Sequence, residues 1–556
     1  MASVQVDYCF HEGRKGKSGR KGPGILIVDG KYKFRINQVN KAGDKFKMYC
    51  VKHGHPQFSC KAKAVVVKRE DESFFLFSAD SEHTHLPDPA LVKAEELKER
   101  MVEIVKKSPC DPVTQAIKEV KLQFAKENED DTFFNEVRES LGNQRAIEQR
   151  LLRTRYAIIG PMPKNRSEFE PNKFIKRVLK SSKMITLDSN NLDENWRSII
   201  DRRNPETQYD WEKLSDEMRS FEDEDETEED IVYEEPNDSA THGESSEGFD
   251  DDCETESVKD LPKRVLAYSS IKLLKLFGMC TRGSVDGTFK SSCKIWKQQF
   301  IFMLKYKGHW IPCVWGWLPD KSETSYKVFL HLIQSKLKEL HIPFNVEEVI
   351  SDFELNIHKS LDEMCPGVKI LGCFFHFALA LQRKVDKGGM KTTYEDDPNF
   401  RKFIKQAIAI SSLPLDDIQR GIDWLDQNYQ FTTEKNALFK TNFMKYIITY
   451  WRDGCYPPYV WSTWSRSDDY TNNNQEGYNS RMNKALKQKY PSPGILLCFL
   501  DKQIHTAEMD ATKAAIGEAP PRKQYKHKEK AARRNKLKID YQNAKLLNGA
   551  DLNQVY

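Results

Sequence analysis

The C-terminal half of this sequence predicts an α/β domain, and three observations predict it. Beyond residue 261 the apolar runs GSVDGTF, QFIFMLKY and HWIPCVWGWL follow one another as three consecutive strands. Residues 322–340 then place Tyr326, Phe329, Leu330, Ile333, Leu337 and Leu340 at helical spacing. Two further runs, EEVISDF and VKILGCFF, flank a short helix near 357–364 and read as a fourth and a fifth strand. Three strands, helix, strand, helix, strand is the order expected of an RNase H-like sheet.

The remaining segments follow from composition and period. Residues 1–30, rich in Gly, Lys and Arg, predict a flexible basic arm. Over 31–90 the short runs KYKFRI, KFKMYC, AVVV and FFLF, bounded by Gly, Asp and Pro, predict a small antiparallel sheet. From residue 89 the period turns helical, with Leu91, Leu97, Met101 and Ile104 on one stripe and a break at SPCDP. Residues 91–220 are therefore expected to be a helical region. Within it, two helices joined at Leu141-Gly142-Asn143 have the outline of a helix-turn-helix. Arg145, Arg150, Arg153 and Arg155 on the second are its candidate DNA contacts, although an exposed basic helix in a bundle fits the pattern equally well. A linker at 221–260 is expected to be disordered. The α/β core is expected over 261–376, a helical insertion over 377–460, the end of the core over 461–515, and a basic tail over 516–556.

A chain of 556 residues is long enough for several cores. No apolar stretch approaches the roughly 20 residues that span a bilayer, so no membrane association is expected, and the opening MASVQVDYCF lacks the order of a signal peptide. The 12 cysteines, scattered over the chain, do not form a disulfide framework and read as metal-binding or packing residues. The net charge of +4 conceals an asymmetry: residues 222–256 hold 18 acids and no Lys or Arg, and without them the charge becomes +22. Such a surplus favours a polyanionic partner, because Lys and Arg release counterions from phosphate backbones. The nine Lys and Arg residues of 522–538 suit a nuclear localisation signal or a DNA-contacting arm.

Asp286 sits in SVDGTF at the end of the first strand and Asp352 in ISDFE at the end of the fourth, so both can project from one edge of the sheet. A third acid should come from a helix after the sheet, where Glu476 stands in TNNNQEGYNSRMNKAL. Clustered carboxylates of this kind can share Mg²⁺ or Mn²⁺, and a two-metal site clamps the attacking and leaving oxygens of a phosphoryl transfer. Glu354, two residues beyond Asp352, is a rival ligand if that strand continues. Trp451, Trp461 and Trp464 precede the Glu motif and are candidates for stacking a base, with core packing as the commoner role.

These motifs together resemble the Mutator-like (MULE) transposase family. Its pattern is read here as Asp286-Gly287-Thr288-Phe289, then Asp352, then Cys373-Phe374-Phe375-His376, and finally Asn472-Asn473-Asn474-Gln475-Glu476, over about 265–500. The resemblance implies that Asp286, Asp352 and Glu476 form a catalytic, Mg²⁺-binding DDE triad. It further implies that Cys373 and His376 lie beside the active site and that 377–460 interrupts an RNase H-like fold.

In the N-terminal segment Cys50, Cys60, His83 and His85 form C-x9-C-x22-H-x-H, a donor set suited to tetrahedral Zn²⁺. His53 and His55 offer a competing H-x-H, but a hairpin between Cys60 and His83 can fold the later pair back onto the cysteines. With Tyr32, Phe34 and Tyr49 ahead of the first ligand, the segment resembles FLYWCH/WRKY-like zinc modules, which implies DNA binding. The expected protein is a nuclear cut-and-paste transposase. It would bind double-stranded DNA at transposon ends and target, and act as a homodimer or higher oligomer. The competing expectation is a domesticated, non-catalytic DNA-binding regulator.

Overall fold

The computed structural model describes residues 8–11, 25–28, 31–69, 74–80, 82–109, 111–127, 131–160, 163, 165–167, 169–173, 175–177, 184–192, 264–466, 470–486, 490–521 and 525–548. Most of the expected basic arm, the whole acidic linker and the last residues of the basic tail lie outside this set. The chain forms two compact units, residues 1–161 and 162–556. Among the described residues no helix is long and apolar enough to cross a membrane.

The first unit opens with six strands, β1 (Tyr8–His11), β2 (Ile25–Val28), β3 (Tyr32–Val39), β4 (Lys45–Cys50), β5 (Lys63–Lys68) and β6 (Phe74–Ala79). They pair in chain order as an antiparallel meander. Phe34, Phe46, Met48 and Val66 are buried together with Cys50 and Cys60. Helix α1 (Pro89–Lys107) starts at Asp88, whose side chain accepts from Leu91 N, and has Pro89 in its first turn and Lys106 and Lys107 in its last. It buries Ala94, Leu97, Met101 and Val105 against α2 (Val113–Glu127), α3 (Asp131–Leu141) and α4 (Gln144–Ile159). Sheet and helices are one body, because Glu95 of α1 is buried in ion pairs to Lys33 of β3 at 3.0 Å and Lys98 at 3.1 Å.

The second unit has a seven-stranded mixed sheet. Its strands are β7 (Ile185–Asp188), β8 (Leu266–Ser269), β9 (Arg282–Thr288), β10 (Gln298–Tyr306), β11 (His309–Leu318), β12 (Glu348–Ser351) and β13 (Lys369–Gly372). The spatial order is β13-β12-β9-β10-β11-β8-β7. β9 is where the sheet changes direction: β10 runs antiparallel on one side and β12 parallel on the other. β10 and β11 bury residues on both faces, which is why their sequences are near-continuous apolar runs. Composition groups 163–192 with the N-terminal helices, yet the described residues of that stretch belong to the second unit. β7 extends the sheet beyond β8, and buried Arg166 donates to Ile295 O at 3.0 Å.

Helices α5 (Ile271–Leu274), α6 (Glu323–Glu339), α7 (Leu355–Met364) and α8 (Phe374–Lys387) accompany the strands. After β13 come α9 (Lys391–Asp396), α10 (Pro398–Ala409), α11 (Ile418–Asn428), α12 (Glu434–Tyr446) and α13 (Pro458–Trp461). Together with α8 they share one core that includes Phe400, Phe403, Ile404, Phe443, Trp451 and Trp461. Helices α14 (Asn473–Leu486) and α15 (Pro493–Ala515) return to the sheet.

The basic tail holds a helix, α16 (Tyr525–Asn548), which packs by one stripe rather than trailing free. Tyr541 is buried, Lys545 pairs with Asp417 at 2.5 Å, and Lys538 donates to Trp464 O at 2.5 Å. Arg534 lies 3.8 Å from the ring centroid of Tyr470. Residues 534, 538, 541 and 545 recur at helical spacing, so one face of a strongly cationic segment is a packing face.

Candidate active site

The parallel strands β9, β12 and β13 bring the first two acids together. Ile350 pairs with Ser284, the last pair of that ladder, and Asp286 in β9 and Asp352 just after β12 each follow it by two residues. Ser351 pairs with Gly372, and Cys373, just beyond β13, donates its N to Ser351 O at 2.9 Å. At Gly287, next to Asp286, a Cβ would meet the side-chain oxygen of Gln298, which would have to shift.

Helix α14 supplies the third acid and is laced to β9 by a polar stripe. Ser284 donates to Gln475 Oε1 at 2.7 Å, Asn479 donates to Asp286 Oδ2 at 2.8 Å, and Asn483 donates to Thr288 Oγ1 at 3.4 Å. Four residues of helix rise about 6 Å and two residues of strand about 6.6 Å, so side chains at 475, 479 and 483 match 284, 286 and 288 one for one. Gln475 also donates to Ile301 O at 3.0 Å. Glu476 follows Gln475 in the first helical turn, with a buried, unpartnered Oε1. The spacing of Gln475, Asn479 and Asn483 was visible in the sequence, but nothing there singled out their partners.

The three acids feel one another. Burial pushes the Asp286 carboxyl well above the usual carboxylate range, and the charges of Asp352 and Glu476 add to the rise. Burial also raises Glu476, with Asp352 adding to it. The charge of His376 offsets part of this at both acids, and the remaining excess of negative charge suits a cation-binding set of hard oxygens.

Cys373 and His376 lie beside Asp352. His376 Nδ1 is 2.9 Å from Asp352 Oδ1, and one donor atom each from Asp352, Cys373 and His376 falls within 4.8 Å of the others. Burial works against the His376 imidazolium, but the neighbouring Asp352 and Cys373 outweigh it and raise the group to about 11. Cys373 is fully buried, and its Sγ accepts from Asn472 N at 3.2 Å, which ties the C-x-x-H segment to the turn before Glu476. Glu354 does not extend the strand, because β12 ends at Ser351 and Glu354 caps α7. It accepts from the Tyr326 hydroxyl at 2.6 Å, and burial raises its carboxyl.

In the first unit Cys50, Cys60, His83 and His85 converge, with their donor atoms within 4.8 Å of one another. Cys50 Sγ lies 3.1 Å from His85 Nε2 and Cys60 Sγ 3.4 Å from His83 Nδ1. Tyr32 stacks on His83 at 3.7 Å between centroids. His53 is turned onto Cys60 O at 2.8 Å and His55 is exposed, so the competing pair stands outside the cluster. Burial pushes the Cys50 thiol up to about 11, whereas for Cys60 the backbone amides of Ala62 and Thr84 outweigh burial and lower it.

The four arginines of α4 separate. Arg145 and Arg153 are exposed. Arg150 is half-buried and pairs with Glu99. Arg155 is buried and donates to Pro109 O at 2.8 Å and Asp111 O at 2.5 Å, so it locks α4 to the turn before α2 instead of facing outward. Trp451 and Trp461 are core residues of the inserted helices, and Trp464 packs against Tyr541.

Site and fold define a class: an α/β protein with acids gathered at the carboxyl edge of parallel strands and a separate Cys/His cluster able to hold a metal. Residues 283–379 match the family model of the MULE transposase domain, which supports a transposase-related function. That segment contains Asp286, Asp352, Cys373 and His376 and ends before Glu476. No curated protein and no solved structure matches the chain.

Proposed function

We propose that this protein is a cut-and-paste DNA transposase of the Mutator-like type, with Asp286, Asp352 and Glu476 as its metal-binding catalytic triad. The observation that supports the reading is the parallel pairing of β9 with β12, whose last pair Asp286 and Asp352 each follow by two residues, with the Asp352 charge felt at Asp286. The strand order β11-β10-β9-β12-β13 supports an RNase H-like core, with the helices from α9 to α13 inserted before α14. The donor set fits Mg²⁺ or Mn²⁺: it is all oxygen, it is mutually repulsive, and Glu476 Oε1 is buried with no partner. When bound, such a cation activates water toward a phosphodiester and stabilises the charge that develops on the leaving oxygen. The protein's own part is to hold the carboxylates in place. Asn479 orients Asp286, His376 faces Asp352, and Gln475 anchors the turn that presents Glu476.

The Cys50-Cys60-His83-His85 cluster is read as a FLYWCH/WRKY-like Zn²⁺ module, and together with Arg145 and Arg153 it supplies DNA contacts. DNA ends and target are the partners, a homodimer or larger assembly is the working form, and the nucleus is the compartment. The test is full-length protein, Mg²⁺ and labelled DNA from the ends flanking the coding region. Wild type should cut, and Asp286→Asn should bind without cutting. Wild type that binds but never cuts would favour the non-catalytic regulator.

A further inference from the structure

Asp286 in β9, Asp352 just after β12 and Cys373 just after β13 lie toward the carboxyl ends of three adjacent parallel strands, and the donor chemistry changes from one to the next. On the Asp286 and Glu476 side every donor is oxygen. On the other side Asp352, Cys373 and His376 offer an oxygen, a sulfur and a nitrogen within 4.8 Å of one another.

The elements fix this second set closely. Cys373 N donates to Ser351 O at 2.9 Å, which holds the residue after β13 against the residue before Asp352. Cys373 is also the N-cap of α8, and His376 lies in the first turn of that helix, facing back to Asp352 Oδ1 at 2.9 Å. The thiol is fully buried, whereas the side chains of Asp352 and His376 are each 29 % exposed, so an ion can enter past them and reach the sulfur. An amide donor to the sulfur, here Asn472 N at 3.2 Å, is the kind of outer contact that supports a metal-bound thiolate.

We infer that Asp352, Cys373 and His376 bind a borderline-soft divalent cation of the zinc class, with three protein ligands and an open fourth position. Sulfur and imidazole select such ions over Mg²⁺, and three ligands with one open place is the arrangement of reactive rather than purely structural zinc sites. The site is distinct from the four-ligand cluster of the first unit and shares Asp352 with the proposed triad. The inference concerns metal binding alone, so it stands or falls independently of DNA cleavage.

The test is a titration of metal-free, full-length protein with Co²⁺, read by equivalents bound and by the thiolate-to-cobalt charge-transfer band. Wild type should bind two thiolate-linked equivalents. Cys373→Ser should lose one equivalent and the share of the band due to a single thiolate, while Cys50→Ser should keep that share. Serine can still accept from Asn472 N. If Cys373→Ser nonetheless fails to fold by circular dichroism, His376→Gln decides, and it should show the same loss of one equivalent. Identical stoichiometry and spectra in wild type and in the folded variant would overturn the inference and leave Cys373 as a packing residue.

Discussion

Asn479 donates a 2.8 Å hydrogen bond to Oδ2 of Asp286, across 193 residues of sequence. The other oxygen, Oδ1, accepts from Gly287 N at 2.7 Å, so the Asp286 carboxylate is held from both sides. Its orientation therefore depends on the helix that carries Glu476.

Asn479→Ala removes one of these holds without touching an acid. Removing an outer partner of a ligand costs about 10–100-fold in metal affinity or activity. Single-turnover cleavage of end DNA should fall in that range, with DNA affinity unchanged in a binding assay. An unchanged cleavage rate would show that Gly287 N alone suffices.

In the metal-free protein the raised carboxyls of Asp286 and Glu476 should oppose folding at neutral pH. Asp286 is raised above its ordinary value of 3.8, so between the unfolded and folded values the native state binds more protons than the unfolded one. Stability should thus fall as pH rises through that window, by about 1.4 kcal/mol per pH unit at most. Asp286→Asn should raise the melting temperature of the metal-free protein at pH 7 and flatten this dependence. Added Mg²⁺ should stabilise wild type more than the variant. A melting temperature lowered by Asp286→Asn in the absence of metal would contradict the repulsion argument.

Arg155 and Arg153 should behave as opposites. Arg155→Ala leaves two carbonyls without their donor and should cost about 1–3 kcal/mol in urea unfolding of the first unit. Arg153→Ala, at an exposed position, should change stability by less than about 0.5 kcal/mol and weaken DNA binding, with a shallower salt dependence. Equal destabilisation by both would mean that α4 packs otherwise.

Metal removal should unfold the first unit selectively. With free Zn²⁺ at 1,000 times its dissociation constant the stabilisation is about 4 kcal/mol, and chelation should abolish it. Cys50→Ser should reproduce the chelated state, because its sulfur faces His85 at 3.1 Å. His53→Ala should retain the metal, since His53 is turned onto Cys60 O. Loss of metal in His53→Ala would reassign the ligand.

The sequence alone determined the order of the five strands β9 to β13 and of the helices α6 and α7 between them, but not β7 and β8, and it put Asp286 at a strand end where β9 runs on to Thr288. Apolar runs and helical stripes are local signals of burial, so β9 to β13 could be read directly, as could the four donors of the Cys/His cluster. Only the tertiary structure decided which polar residues face one another. It joined Ser284, Asp286 and Thr288 to Gln475, Asn479 and Asn483, attached β7 to β8, and turned Arg155 inward. It also converted cationic 525–548 into a packed helix and ended β12 before Glu354. Each of these depends on which surfaces meet across long stretches of chain, and a charge or an amide has the same local signature whether it meets water or a partner.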